Sequence, residues 1–140
     1  MPQEKSCGAV IFRKDSEIKY LLLHYGAGHW DFVKGNVEPN ESETETAIRE
    51  ISEETGINDV RFIDGFRERI SYYYRRGKNL IFKEVIFYLA QTQENTVKLS
   101  YEHVGYEWLT YEKAMERLTF ANPRRVLQKA NELLRNMNQA

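Results

Sequence analysis

The stretch GNVEPNESETETAIREISEETGI, running from Gly35 to Ile57, holds seven glutamates in 23 residues. Its second half is written as a helix over 43–55. Ser42 is a good N-cap, Glu45 three residues on completes a capping box, and Gly56 suits the position just past the end. At about 100° per residue, Glu43, Glu50 and Glu54 fall in one narrow sector, with Glu53 to one side. Ala47, Ile48, Ile51 and Thr55 make the adjoining, core-facing sector. Glu50 and Glu54 form a like-charge pair at i,i+4, which destabilises a helix by a few tenths of a kcal/mol. Acids near the C-terminal end also oppose the helix dipole. Arg49 is the one cation in the segment. Such a local cost points to a counter-charge supplied from outside the chain. Carboxylates converging at i, i+3 and i+4 make a hard-oxygen site for Mg²⁺ or Mn²⁺, ions that work with phosphates. The plain alternative is an acidic face turned to water.

The rest of the chain sets the frame for that helix. One domain over 1–140 is expected from the length, with enough residues to bury a core. With 41% hydrophobic and 13% aromatic residues the chain is a folded globular one. A net charge of −1 and a pI of about 6.3 argue against a non-specific nucleic-acid binder, so no stable nucleic-acid partner is expected. Cys7 is the single cysteine, which excludes an internal disulfide. It lies in the apolar run from Cys7 to Phe12 and reads as a small buried hydrophobe. A reducing, cytoplasmic setting is expected. The polar start MPQEKS lacks a signal-peptide core, and no run is long enough to cross a membrane.

Strands are expected over 7–13 and 18–24, joined by the turn Lys14-Asp15-Ser16-Glu17. Residues 25–40, rich in Gly, Pro, Asn and aromatics, read mostly as loop. Two long strands over 60–76 and 79–91 should close a hairpin at Arg76-Gly77-Lys78-Asn79. A strand over 104–109 precedes helices over 111–118 and 123–137, the last with Pro123 in its first turn. Alternating strands and helices with hairpins among them give a mixed sheet covered by helices.

The spacing of the opening stretch is more specific than its composition. Gly35, five residues, Glu41, seven residues, then Arg49-Glu50-Ile51-x-Glu53-Glu54-x-Gly56-Ile57 reproduces the Nudix box at all seven fixed letters and both apolar positions. The chain resembles a Nudix hydrolase over its whole length. The resemblance implies an α/β fold, the α/β/α sandwich around a central mixed β-sheet. It implies divalent-metal hydrolysis of a phosphoanhydride in a nucleoside diphosphate linked to another group. On it, Glu50 and Glu54 match metal ligands, Glu53 often shares that duty, and the Gly35 carbonyl is often a further ligand. Glu41 and Arg49 match a supporting pair.

Further segments, His29–Glu41, Asp64–Arg76, Lys83–Ala90 and Leu99–Leu109, resemble the asymmetrically cleaving diadenosine tetraphosphate hydrolases of animals and archaea. Those enzymes release a nucleoside triphosphate and a monophosphate. The partner implied is then a dinucleoside polyphosphate, acted on by a monomer or weak dimer with Mg²⁺, or Mn²⁺, as cofactor. Glu102 matches a glutamate that serves as an extra metal ligand or as general base, so the base is Glu53 or Glu102, and Glu54 joins them among the catalytic acids. Tyr72 matches an aromatic that stacks on adenine, although Tyr72-Tyr73-Tyr74 also reads as plain strand. Lys83 matches a phosphate-contacting lysine. Lys34 and His29 could meet phosphate, and Tyr106 could stack on the second base. His103 reads like His29, a packing or surface residue as readily as a site one. Two departures stand out: Tyr101 where histidine is frequent, and Asp31-Phe32-Val33 where the animal sequences favour prolines. Other readings are a Nudix enzyme acting on an RNA 5′ end, a nucleoside triphosphate or an inositol pyrophosphate, or a non-catalytic binding module on the same fold.

Overall fold

The computed structural model describes residues 3–139. At its centre lies an eight-stranded mixed sheet. Strand β1 (Gln3–Lys14) runs antiparallel to β2 (Ile18–Tyr25) and parallel to β7 (Asn79–Gln91). The short strands β3 (Trp30–Asp31) and β4 (Val33–Asn36) pair with β2 and β1 respectively. Strands β5 (Arg61–Phe62) and β6 (Glu68–Arg76) both pair with β7, and β8 (His103–Leu109) pairs with β2. Helix α1 (Glu43–Thr55) covers one face; α2 (Tyr111–Arg117) and α3 (Ala121–Gln139) cover the other.

Strand alternation sorts the core into two clusters. On β1, Ala9 and Ile11 face Ile51 of α1, while Val10 and Phe12 face Ala114, Val126 and Leu127 of α2 and α3. On β2, Leu21 and Leu23 go with the first set, Tyr20 and Leu22 with the second. Near-continuous apolar runs in β1 and β2 are what a sheet covered on both faces requires.

The expected hairpin forms, with Arg76 paired to Asn79 and Gly77 at a φ of 61°, a left-handed turn that favours glycine. The single strand expected over 60–76 is instead two, broken at Asp64-Gly65, where Gly65 has a φ of 88°. Residues 25–40 hold β3 and β4, which have too few residues to carry a periodic signal. Strand β1 starts at polar Gln3 because Gln3 to Ser6 pair in parallel with Phe82 to Val85. The pairing overrides their weak strand propensity. The last helix begins at Ala121, two residues before the expected start, with Pro123 inside its first turn. On α1, Thr46, Ala47, Ile51 and Thr55 are buried as expected, but Ile48 is 49% exposed and does not join the core. At 140° from Glu43 it sits at the rim of the buried sector.

Candidate functional site

Helix α1 is fixed at both ends. Ser42 accepts the Glu45 N–H, the Glu45 carboxylate accepts the Ser42 N–H, and Gly56 closes the helix at a φ of 74°. Where the Glu50 carboxylate sits depends on a close approach to the sheet. A Cβ on Gly35 of β4 would fall 2.0–2.4 Å from the Glu50 carboxyl atoms, so only glycine lets the Glu50 head rest on this strand. Glu43, in the first turn, is not part of the acidic cluster. It pairs with Arg67 and Lys5 and accepts the Tyr88 hydroxyl, and these contacts, Arg67 foremost, hold its carboxyl far below the usual range against the effect of burial.

One cleft of about 450 Å³ gathers most of the candidate residues: Lys34, Gly35, Glu50, Glu53, Glu54, Tyr72, Lys83 and Glu102 all line it. Glu102 comes from the turn before β8, where its carbonyl accepts the Gly26 N–H at 3.0 Å. Glu53 is exposed, whereas Glu50 and Glu54 are buried. Arg49 supplies the counter-charge. Its guanidinium donates to Glu50 at 2.7 Å, to Glu53 at 3.2 Å and to the Asn36 carbonyl at 2.9 Å. It also grips both oxygens of Glu41, at 2.7 and 3.0 Å. That fork and the Thr46 hydroxyl bring the Glu41 carboxyl down to about 2.

Glu54 is left out of this arrangement. Its Oε1 is buried and has no hydrogen-bond partner. His103 Nε2, equally buried and unpartnered, lies 3.2 Å away but outside hydrogen-bonding alignment. Burial, then the neighbouring Glu50, and further the charges of Glu102 and Glu53, push the Glu54 carboxyl up to about 10. Burial likewise lowers His103, so the pair does not settle as an ion pair. A buried oxygen without a partner among four acidic side chains fits a hard divalent cation. Glu50, Glu53, Glu54 and Glu102 could hold one through carboxylate oxygens, and Gly35 through its carbonyl. Among the described residues no three such side chains are gathered closely enough to grip an ion as they stand. Arg49 engages one oxygen of Glu50 and one of Glu53, so the second oxygen of each stays available to a cation.

A second cleft of about 390 Å³ adjoins the first, lined by His29, Asp31, Ile70, Phe120 and Pro123 among others. Lys34 and Tyr72 line both, so the clefts meet at these two residues. The Lys34 ammonium lies 5.9 Å from the Tyr72 ring centre and 3.1 Å from the Asp31 carboxylate. Burial disfavours its charge, but Asp31 and Tyr72 outweigh that and raise its pKa. Lys83 donates to Asn36 at 2.9 Å and to Glu4 at 3.4 Å; burial lowers it. His29 stacks on Tyr25 with ring centres 4.5 Å apart. Tyr106 joins neither cleft; it packs against the core cluster beneath α1, the place a strand residue paired with Leu23 occupies. Sequence reasoning missed Ser6 and Asn36, whose side chains join at 2.9 Å in the carboxylate cleft, and the burial of His103 against Glu54.

A family model for the NUDIX domain matches residues 2–130. The chain belongs to the Nudix family. Within it, the asymmetrical bis(5′-nucleosyl)-tetraphosphatase of Mus musculus is 37% identical, over 93% of this chain and 95% of the relative. The Caenorhabditis elegans protein of the same name is 34% identical, over 93% and 96%. Among solved structures, a binary complex of a C. elegans Ap4A hydrolase matches with a TM-score of 0.84 at 31% identity, covering 95% of this chain and 98% of that one. The α/β/α arrangement, the mixed sheet and the box helix of this chain are those of a Nudix hydrolase. Nudix hydrolases generally use divalent metal, which agrees with the donor set around Glu54. No helix among the described residues is long and apolar enough to cross a membrane.

Proposed function

We propose that this chain, as one Nudix domain over residues 1–140, hydrolyses dinucleoside polyphosphates, with diadenosine tetraphosphate giving ATP and AMP. The observation that carries the reading is the junction of the two clefts. An acidic cleft suited to phosphate-bridging cations opens, past Lys34 and Tyr72, into a largely apolar one lined by Ile70, Phe120 and Pro123. A base with a polyphosphate chain beside it matches that division, which is one half of a dinucleoside polyphosphate. The near-complete overlap with the tetraphosphatases above supports it.

Glu50, Glu53, Glu54, Glu102 and the Gly35 carbonyl are the residues proposed to hold Mg²⁺, with Mn²⁺ an alternative. When bound, the metal neutralises phosphate charge and lowers the pKa of water. Lys34 of β4 and Lys83 of β7, on the two strands that flank this end of β1, bind the polyphosphate. Tyr72 offers its ring to a base, a contact worth roughly 1–3 kcal/mol. His29, stacked on Tyr25 in the apolar cleft, lies on the nucleoside side. Glu53, the most exposed acid of the helix cluster, or Glu102 takes the proton of the attacking water. The water oxygen bonds to a terminal phosphorus, the adjoining P–O bond breaks, and the bridging oxygen leaves with ATP. Glu41 and Arg49 orient the acids. A cytoplasmic setting belongs to the same proposal and rests on the lone, buried Cys7.

The test is product analysis with Mg²⁺ in oxygen-18 water, offering diadenosine tetraphosphate beside ATP and a triphosphorylated RNA. Equimolar ATP and AMP with the label in AMP is expected. Turnover of the RNA or of ATP alone would replace the substrate, and two ADP would replace the cleavage position.

A further inference from the structure

Asp31 closes β3 and is 2% exposed. It pairs with Leu23 across the strands, a buried position that carries a carboxylate. Oδ1 accepts the Phe32 N–H at 2.7 Å, and Oδ2 accepts from the Lys34 ammonium at 3.1 Å. A buried ion pair is weak grounds for stability, because desolvation offsets its attraction. Its geometry is the firmer consequence. Lysine carries a compact charge on four rotatable bonds. Here one side of that charge is tied to a fixed carboxylate and another lies toward the face of Tyr72. Lys34 and Tyr72 are the two residues common to both clefts, whereas Asp31 lines the apolar cleft only. The carboxylate itself repels phosphate, so any help it gives must pass through the lysine.

We infer that Asp31 is a positioning residue: its buried carboxylate fixes the Lys34 ammonium at the junction of the two clefts, where it meets the phosphate next to the stacked base. The inference rests on the function proposed above. Elementary electrostatics alone predicts the opposite of what it requires. Removing an anion beside Lys34 should tighten anion binding if Asp31 merely screens the charge. It should weaken binding if Asp31 holds the charge in place.

The experiment uses the whole chain with Asp31→Asn, Lys34→Met and the double variant. Asparagine keeps an acceptor for the Phe32 N–H and removes the charge. Asp31→Glu keeps the charge and serves as the conservative variant. Two readouts are taken: calorimetric binding of inorganic tripolyphosphate, and kcat and KM with diadenosine tetraphosphate. Asp31→Asn should weaken tripolyphosphate about tenfold and raise KM more than it lowers kcat, a coupling common between contacting residues. In the Lys34→Met background it should change neither, and Asp31→Glu should recover part of the loss. Tighter tripolyphosphate binding by Asp31→Asn, or losses that multiply in the double variant, would overturn the inference. If the wild type binds tripolyphosphate with this coupling but turns over no dinucleotide, the function reading fails and the Asp31–Lys34 device stands. Turnover without coupling removes the device alone.

Discussion

Replacing Glu54 by Gln exchanges a buried carboxyl for an amide of the same shape. The change removes a proposed ligand and puts a group that cannot ionise beside Glu50, Glu53 and Glu102. Turnover should fall by 10²-fold or more, on the order of other losses of a key electrostatic group. The melting temperature of the metal-free variant should stay level or rise. Near-normal kcat in Glu54→Gln would remove this residue from the site. The pH dependence follows from the same group. Its pKa is about 10 in the folded chain against an ordinary 4.5, so the folded state binds the extra proton. Stability from this group is full below about 4.5 and declines as pH rises from there toward 10. Metal-free wild type should therefore lose melting temperature across that span, and Glu54→Gln should lose less of it. At the acidic end, Glu4 and Glu41, both held near 2, give up their contribution as pH falls through that value. Glu54 was legible as an acid crowded by acids. Its partner His103 was not, since 49 residues separate them and only the pairing of β8 with β2 brings them together.

Helix α1 shows how much of an element a sequence can carry. Its start, end and buried Ala47 and Ile51 follow from a cap, a glycine and a 3.6-residue period. Those signals are local, which is why they survive folding unchanged. Ser42→Ala should cost about 1 kcal/mol in urea unfolding, the usual loss of an N-cap. Activity per folded molecule should be retained, because Ser42 touches Glu45 and Thr44 and no candidate ligand. A loss of kcat larger than the loss of folded protein would mean that the helix start and the acidic cluster are coupled. Strands β3 and β4 lay beyond such reading. Their two and four residues are strand only because β2 and β1 supply hydrogen-bond partners. Asp31 and Lys34 ride on these strands, so their meeting was hidden as well.

At the scale of the whole molecule, cation binding and folding are linked. An ion held only by the folded chain stabilises it by about 2.7 kcal/mol at a hundred times its Kd. Melting temperature should climb with Mg²⁺ in the wild type and hardly at all in Glu54→Gln. A flat titration of the wild type, followed by differential scanning fluorimetry, would count against the carboxylate cleft as a metal centre. The layered arrangement was legible from alternating elements, but strand order was not. Apolar runs in β1 and β2 announce burial on both faces without naming neighbours. The acidic cleft depends on that order, because Gly35 reaches Glu50 only through the pairing of β4 with β1.

Strand β1 has β2, β4 and β7 around it, and its parallel register joins Gln3 to Phe82 and Phe12 to Gln91. During synthesis it leaves the ribosome ahead of its parallel partner β7 and must wait for residues nearly eighty positions behind it. Until β7 emerges, the run from Cys7 to Phe12 travels with an open edge and bare faces. Such distant closure slows folding and leaves the nascent chain prone to sticking. The same delay means that no partly made chain lacking β7 presents an assembled acidic cleft.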